Sequence, residues 1–155
     1  MNSVNIPRDT DDFSKSFMYS VHELYFLVQK RIEMLLSKSK KITFSQFLIL
    51  VGFQCSQKKS ISQSDIAERL HLTEATVSRH ISTLVTLGYL LKKEDKDNRR
   101  KHSIFITKKG EQEFAKATLL IEKELQEIFS VINQKDRSLI TKNFSSVLTA
   151  LLTKK

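Results

Sequence analysis

The sequence predicts a mainly α-helical fold with one small β-hairpin. Three glycines and one proline among 155 residues leave few positions at which a helix is forced to end. Apolar residues recur at helical spacing towards both ends of the chain. Between these regions, the apolar segments YLLKK and SIFIT enclose the polar stretch KKEDKDNRRKHS, which is typical of a hairpin with an exposed turn.

The first helix is predicted from about Ser14 to Ser37, because apolar residues step by three or four positions there. Its stripe consists of Phe17, Val21, Leu24, Val28, Ile32 and Leu35. A second helix, TFSQFLILVGFQ, starts at Thr43 and is apolar around nearly its whole circumference. That pattern indicates burial under other helices.

Two short helices follow in SISQSDIAERLHLTEATVSRHISTLVTLGYL. Ser62 and Asp65 have the spacing of a capping box, with Asp in place of the usual Glu, and open a helix that runs to about Leu70. Thr73 is the expected N-cap of the next helix, and Gly88 is its expected C-terminal stop. The hairpin comes directly after this pair.

A long helix is predicted from about Lys108, and a last helix follows the break at NQKD. Their stripes are Phe114, Ala117, Ile121, Leu125, Ile128 and Ile132, and then Ile140, Phe144, Val147 and Leu151. The order of elements is that of a winged helix-turn-helix with N- and C-terminal dimerisation helices. The end helices have no obvious partner in so small a domain, so we expect a second copy of the chain to cover them.

The helix after Thr73 has two faces of different character. Val77, Ile81 and Leu84 share one face and should anchor the helix to the domain. The opposite face carries Ala75, Arg79, Ser82 and Thr86, flanked by Thr76 and Ser78. Small residues, hydroxyls and one Arg suit a helix that enters the major groove of DNA. A solvated outer face could have the same composition, so this helix alone leaves both interpretations open.

The formal charge of +9 is concentrated in residues 58–110, which sum to +6. Such a basic segment favours a polyanionic partner, nucleic acid before membrane. KKEDKDNRRKHS, Lys92 to Ser103, holds six Lys or Arg, three acids and a His. On charge alone, this stretch is either a solvated turn or a surface that binds something negative.

Taken together, the motifs DIAERL, TVSRHISTLVTLGYL, the charged turn and IFITKKG resemble the MarR (multiple antibiotic resistance regulator) family of bacterial transcription factors. The resemblance covers nearly the whole chain in its order of elements. It implies a homodimer that binds a roughly palindromic double-stranded DNA site, with the helix after Thr73 in the major groove and the β-hairpin, or wing, in the minor groove. The single cysteine fits a reducing compartment, so we expect a cytoplasmic protein. Repression is the usual outcome in this family.

The register set by Thr107 and Gly110 places Arg100 where similar proteins insert an arginine into the minor groove. The acid that commonly braces this arginine is replaced by Asn98, so a one-residue shift would give the role to Arg99. The residues expected to contact DNA are Ser62, Thr73, Ala75, Thr76, Ser78, Arg79, Ser82, Lys96, Arg99, Arg100 and Lys101. The lysines should mostly meet phosphates.

Three functional regions are expected along the chain. Residues 1–38 form an N-terminal helix that is part of the dimerisation region. Residues 39–110 form the winged helix-turn-helix DNA-binding domain, and residues 111–155 form the C-terminal dimerisation helices.

The resemblance also implies a small aromatic or lipophilic effector that lowers the affinity for DNA. Phe17, Tyr25, Phe26, Phe44 and Phe47 could line its pocket, although aromatic residues at helical spacing are more often core. A redox-responsive or metal-responsive regulator is the alternative within the family. The lone Cys55 and the scattered histidines give it little support, so we expect no bound metal and no cofactor.

An enzyme is not expected, because the chain has no nucleophile with a local base signature and no Gly-rich phosphate loop. A winged-helix module that binds protein, and an architectural DNA binder without sequence preference, are the rival functions. No apolar run approaches the length of a membrane span, and no signal peptide is expected at the N-terminus.

Overall fold

The computed structural model of the chain describes residues 13–39, 41–54, 60–94 and 102–153. Helices and strands follow one another in the predicted order, with one additional strand. The helices are α1 (Phe13–Ser37), α2 (Phe44–Gln54), α3 (Gln63–Leu70), α4 (Glu74–Thr86), α5 (Lys108–Ile128) and α6 (Gln134–Thr153). The strands are β1 (Ile61–Ser62), β2 (Leu90–Glu94) and β3 (His102–Ile106), and a single 3₁₀ turn spans Phe129–Val131.

Helices α2, α3 and α4 pack against one another, and α3 and α4 also contact the small sheet. The centre of this core consists of large apolar side chains that are almost completely buried: Leu36, Ile49, Leu50, Ile66, Val77, Ile81, Leu84, Leu90 and Ile104. Side chains from α1, α2, α3, α4, β2 and β3 therefore share one core. This arrangement confirms the predicted winged helix-turn-helix.

The sheet has three antiparallel strands in the order β1-β3-β2. Ile61 pairs with Ile104, and Leu90 pairs with Ile106. Strand β1 was not predicted, because its two residues form a strand only through pairing with β3. Strand β2 begins one residue later than predicted, at Leu90, because the backbone N–H of Tyr89 donates to the α4 carbonyl of Leu84 at 2.9 Å.

The predicted helix-capping signals are confirmed. The Ser62 hydroxyl accepts from the Asp65 N–H at 3.1 Å, and the Asp65 carboxylate accepts from the Ser62 N–H at 3.3 Å, which completes the capping box. The Thr73 hydroxyl accepts from the Thr76 N–H at 3.2 Å. Gly88 has a φ of +74°, the left-handed conformation that glycine adopts without steric cost.

The corner between α1 and α2 is fixed by hydrogen bonds. A Glu33 carboxylate oxygen accepts from the Phe44 N–H at 2.7 Å, so α1 caps the N-terminus of α2. Only Ile32 and Leu36 of α1 are buried in a single copy of the chain. Sequence analysis had placed the neighbouring Leu35 on the apolar stripe, and the structure leaves that residue half-buried.

The chain divides into two compact units, Met1–Leu120 and Ile121–Lys155. In the second unit, Asn133 caps α6 through a hydrogen bond from the Asp136 N–H at 3.0 Å. The Arg137 guanidinium donates to the carbonyls of Ile132 at 2.8 Å and Phe129 at 3.1 Å. No residue of α6 between Gln134 and Thr153 is buried. Across the described ranges, no helix is long and apolar enough to cross a membrane.

Candidate DNA-binding surface

Helix α4 is held by one fully buried face. Val77, Ile81 and Leu84 are between 0 and 1% exposed, so the orientation of the helix about its own axis is fixed. The opposite face is solvent-exposed and carries Ala75, Arg79, Ser82 and Thr86, with the half-buried Thr76 and Ser78 beside it. The division of faces predicted from the sequence is therefore present. Contact of these residues with DNA stays a prediction.

The hydroxyls on α4 are directed back into the helix. Those of Ser82, Thr83 and Thr86 each donate to the carbonyl four residues earlier, at 2.9, 3.1 and 3.1 Å. Their oxygen lone pairs remain available, so these hydroxyls present hydrogen-bond acceptors. The Arg79 guanidinium makes no hydrogen bond to the part of the chain that the structure describes and supplies the donors of this face. A helix that reads base edges needs both hydrogen-bond donors and hydrogen-bond acceptors.

The turn between α3 and α4 is stabilised by a residue that sequence reasoning missed. The Gln63 side-chain amide, at the start of α3, donates to the Glu74 carbonyl in the first turn of α4 at 3.2 Å. His71 takes the left-handed conformation (φ 52°) at the end of α3, a position more often filled by Gly or Asn. Neither role has a sequence signal of its own, because both depend on how the two helices meet.

Ser62 and Thr73, both predicted to contact DNA, also have structural roles as helix caps. Replacing Ser62 with Ala should lower the free energy of unfolding by about 1 kcal/mol, because the Asp65 N–H loses its acceptor. Urea denaturation measures this loss, and Ser62→Thr, which keeps a capping hydroxyl, serves as the control. Unchanged stability together with weaker DNA binding would instead assign the hydroxyl to a DNA contact.

The base of the wing is described, and its turn lies outside the described residues. Lys92 and Lys93 on β2 are exposed, and the Lys93 ammonium lies 5.4 Å from the centroid of the Phe105 ring. The predicted DNA contacts that fall outside the described residues are Lys96, Arg99, Arg100 and Lys101, and the same holds for Asn98 and for Cys55.

The five aromatic residues predicted to line an effector pocket have different surroundings. Phe44 and Phe47 have ring centroids 6.5 Å apart, and Phe47 also stacks on Phe114 at 5.4 Å. Phe17 stacks on Phe13 at 5.3 Å. Tyr25 and Phe26 are more than half exposed, so they remain available to a ligand or to a second chain. The pocket itself stays a prediction.

A charged cluster links α5 to the segment before α2. Glu113 is 8% exposed, and its carboxylate accepts from the Lys41 ammonium at 3.3 Å. Burial and the Glu113 carboxylate raise the pKa of Tyr89, and the Lys41 ammonium lowers it in part. Within the described ranges, no three His, Cys, Asp or Glu residues form a group that could hold a metal ion.

Comparison with known proteins agrees with this geometry. Residues 42–102, which run from just before α2 into the wing, match the model of the MarR family. This part of the chain is therefore similar to the MarR family. The matched family and the shared fold are those of transcriptional regulators.

A curated protein similar to this chain is the HTH-type transcriptional regulator PrsX of Escherichia coli, which is 27% identical over 105 residues. The alignment covers 61% of this chain and 63% of the relative. The chain therefore aligns with less than two thirds of the length of that regulator.

Solved MarR-type structures share the fold over most of the chain. A MarR transcriptional regulator from Methanosarcina mazei Go1 superposes with a TM-score of 0.78 at 22% identity, covering 91% of this chain and 99% of that one. Wild-type apo MarR from Escherichia coli superposes with a TM-score of 0.73 at 18% identity, covering 84% of this chain and 94% of that one. Bordetella bronchiseptica BpsR, whose DNA binding is regulated by 6-hydroxynicotinic acid, gives 0.68 at 21% identity, covering 83% and 98%.

Proposed function

We propose that the protein is a homodimeric transcriptional regulator that binds a palindromic site in double-stranded DNA. Helix α4 enters the major groove and the wing enters the neighbouring minor groove. The observation that carries this proposal is the composition of the exposed α4 face, which is held outward by the buried Val77, Ile81 and Leu84. An α-helix is about 10–12 Å across with its side chains, so the 13-residue α4 fits a major groove about 12 Å wide.

Two exposed apolar surfaces support a homodimer. On α6, Val147, Leu148, Leu151 and Leu152 are 49 to 77% exposed and fall on one side of the helix. On α1, Met18, Leu24, Tyr25, Phe26 and Leu27 are also largely exposed. Exposed apolar surfaces of this kind mark sites of association, and a two-fold dimer is the commonest arrangement. A two-fold dimer binds two half-sites about 34 Å apart, hence a palindrome.

The charge of the chain favours DNA over a protein partner. Residues 58–110 carry a formal charge of +6, and the exposed Lys92 and Lys93 lie at the base of the wing. We assign Lys96 and Lys101 to phosphates and one of Arg99 and Arg100 to the minor groove, where narrow A·T-rich DNA concentrates negative potential. A module that binds protein would have no need for this excess of positive charge.

The regulatory part of the proposal is repression that a small effector relieves. A dimer bound across a promoter represses by excluding RNA polymerase, and a ligand that favours another arrangement of the dimer lowers its affinity for DNA. DNA binding by BpsR, which shares this fold, is regulated by 6-hydroxynicotinic acid, and this supports the proposal of a small effector. We propose that an aromatic or lipophilic ligand binds near the aromatic residues of α1 and α2. We also propose that residues 39–110 bind DNA, and that residues 1–38 and 111–155 form the dimer.

The test begins by selecting binding sites from random double-stranded DNA. The wild-type protein should enrich a palindrome, and its affinity should fall steeply with salt because phosphate binding releases counterions. Arg79→Ala should then bind the selected site roughly 5- to 150-fold more weakly, since a bidentate contact to guanine contributes about 1–3 kcal/mol.

Lys142→Ala is the matched control, because it removes one positive charge from the exposed polar side of α6. Its affinity for the selected DNA should stay close to that of the wild type. If Arg79→Ala binds the selected DNA with wild-type affinity, α4 is not part of the DNA interface. The absence of any salt-dependent DNA binding would favour the protein-interaction module, and salt-dependent binding without enrichment would favour an architectural protein.

A further inference from the structure

Lys109, in the first turn of α5, reaches back to the end of α4. Its ammonium donates to the Leu87 carbonyl at 2.7 Å and lies 5.0 Å from the centroid of the Tyr89 ring. Both distances are within the range of favourable interactions for an ammonium group. The side chain therefore joins the helix proposed to read DNA to the helix that follows the wing.

The Leu87 carbonyl is one of the groups that the end of α4 leaves without a partner inside the helix. The Gly88 N–H donates to Val85 at 2.9 Å and the Tyr89 N–H to Leu84 at 2.9 Å, which satisfies two of the last carbonyls. Leu87 is the C-cap residue itself, and its carbonyl lies at the negative end of the helix dipole. An ammonium group is the complementary partner for this position.

The surrounding backbone is held independently of Lys109. The Thr107 hydroxyl donates to the Gly88 carbonyl at 2.8 Å and accepts from the Gly110 N–H at 3.0 Å, so it also caps α5. Gly110 lies so close to Tyr89 that an added Cβ would be 2.2 Å from the Tyr89 carbonyl oxygen. Loss of the Lys109 side chain should therefore leave the chain path intact and release only the end of α4.

We propose that Lys109 is a positioning residue for DNA recognition. By binding the Leu87 carbonyl, it holds the C-terminal end of α4 against the start of α5, and this end contributes to how well the protein distinguishes its site from other DNA. Lys109 is exposed, but its ammonium already donates to the Leu87 carbonyl, so we expect no direct phosphate contact from it. This inference rests on the proposed function, because it assumes that α4 reads the DNA.

The test compares Lys109→Met with Lys108→Met, which removes the same charge from the adjacent exposed position. Affinities for the selected site and for a scrambled duplex are measured over a range of salt concentrations, below the melting temperature of each variant. Lys109→Met should lower the ratio of the two affinities by about tenfold, comparable to the loss of one good base contact. Its salt dependence should match that of the wild type.

Lys108→Met should keep the wild-type ratio, and Lys109→Arg should recover most of it, since a guanidinium can also bond a carbonyl and stack on Tyr89. An unchanged ratio in Lys109→Met would overturn the inference. The inference would also be overturned if Lys109→Met kept the wild-type affinity ratio and its affinity depended less steeply on salt, with a slope lower by about 1. That result would identify Lys109 as a phosphate contact.

If Lys109→Met does not fold, Lys109→Gln, which keeps a shorter stem and lacks the charge, provides the same comparison. Failure of the inference is distinguishable from failure of the proposed function. In the first case the wild-type protein still prefers its selected site, and in the second it prefers no sequence.

Discussion

Replacing Gly110 with alanine is expected to destabilise the winged helix-turn-helix domain by roughly 3 kcal/mol or more. The new Cβ would lie 2.2 Å from the Tyr89 carbonyl oxygen and 3.0 Å from the Ile106 side chain. The carbonyl is not free to move away, because it accepts a hydrogen bond from the Thr107 N–H at 3.0 Å, and the Thr107 hydroxyl, whose proton it shares with the Gly88 carbonyl, lies 3.2 Å away. Either the strand or the first turn of α5 must therefore shift.

Urea unfolding at a fixed protein concentration measures this effect, since the stability of a dimer depends on concentration. Gly52→Ala is the control, because apart from the backbone of α2 and the two adjacent residues no atom lies within 4 Å of the Cβ that it would add in the last turn of α2. There the substitution should be neutral or stabilise the protein by up to about 1 kcal/mol, through the higher helix propensity of alanine. Equal stability of Gly110→Ala and the wild type would show that the close approach to Tyr89 has no energetic importance.

The second large effect is expected from Leu148→Glu on α6. Leu148 is 58% exposed in the single chain and belongs to the apolar side of the helix proposed to meet a second copy. Burying a carboxylate in such an interface costs several kcal/mol, so the dimer should dissociate at least roughly 100-fold more readily. Affinity for the palindrome should fall by a similar or larger factor, because the two half-sites would no longer be bound by one linked molecule.

Sedimentation equilibrium and circular dichroism separate this outcome from unfolding. Leu148→Glu should be monomeric at micromolar concentration with an unchanged helical spectrum, because Leu148 has little role in the fold of one chain. Ser146→Glu adds the same charge on the opposite side of α6 and should remain dimeric. A dimeric Leu148→Glu would place the interface elsewhere.

Local signals were sufficient to predict most of the fold. The capping box at Ser62 and Asp65, the N-cap at Thr73 and the left-handed Gly88 all act over three or four residues, and each takes its predicted conformation. The buried face of α4 was equally predictable, because it depends only on apolar residues recurring every three or four positions.

Features that depend on distant parts of the chain were not predictable. The pairing of β1 with β3, the bond from Gln63 to Glu74 and the contact of Lys109 with Leu87 each join residues that the sequence does not relate. The burial of Leu36 in place of Leu35 likewise depends on the angle at which α1 meets its neighbours. The DNA contacts and the effector pocket were predicted from the outward face of α4 and from the family resemblance, and the proposed variants test them.

Ser62 has two structural roles, because it caps α3 and also pairs with Ser103 in the sheet. The base of the wing is thereby bonded to the first helix of the helix-turn-helix, and the angle between the wing and α4 is built into the fold. If α4 and the wing occupy adjacent grooves, as proposed, the domain binds best to DNA in which the two grooves are one particular distance apart. It would then respond to the twist and groove width of the duplex as well as to its bases.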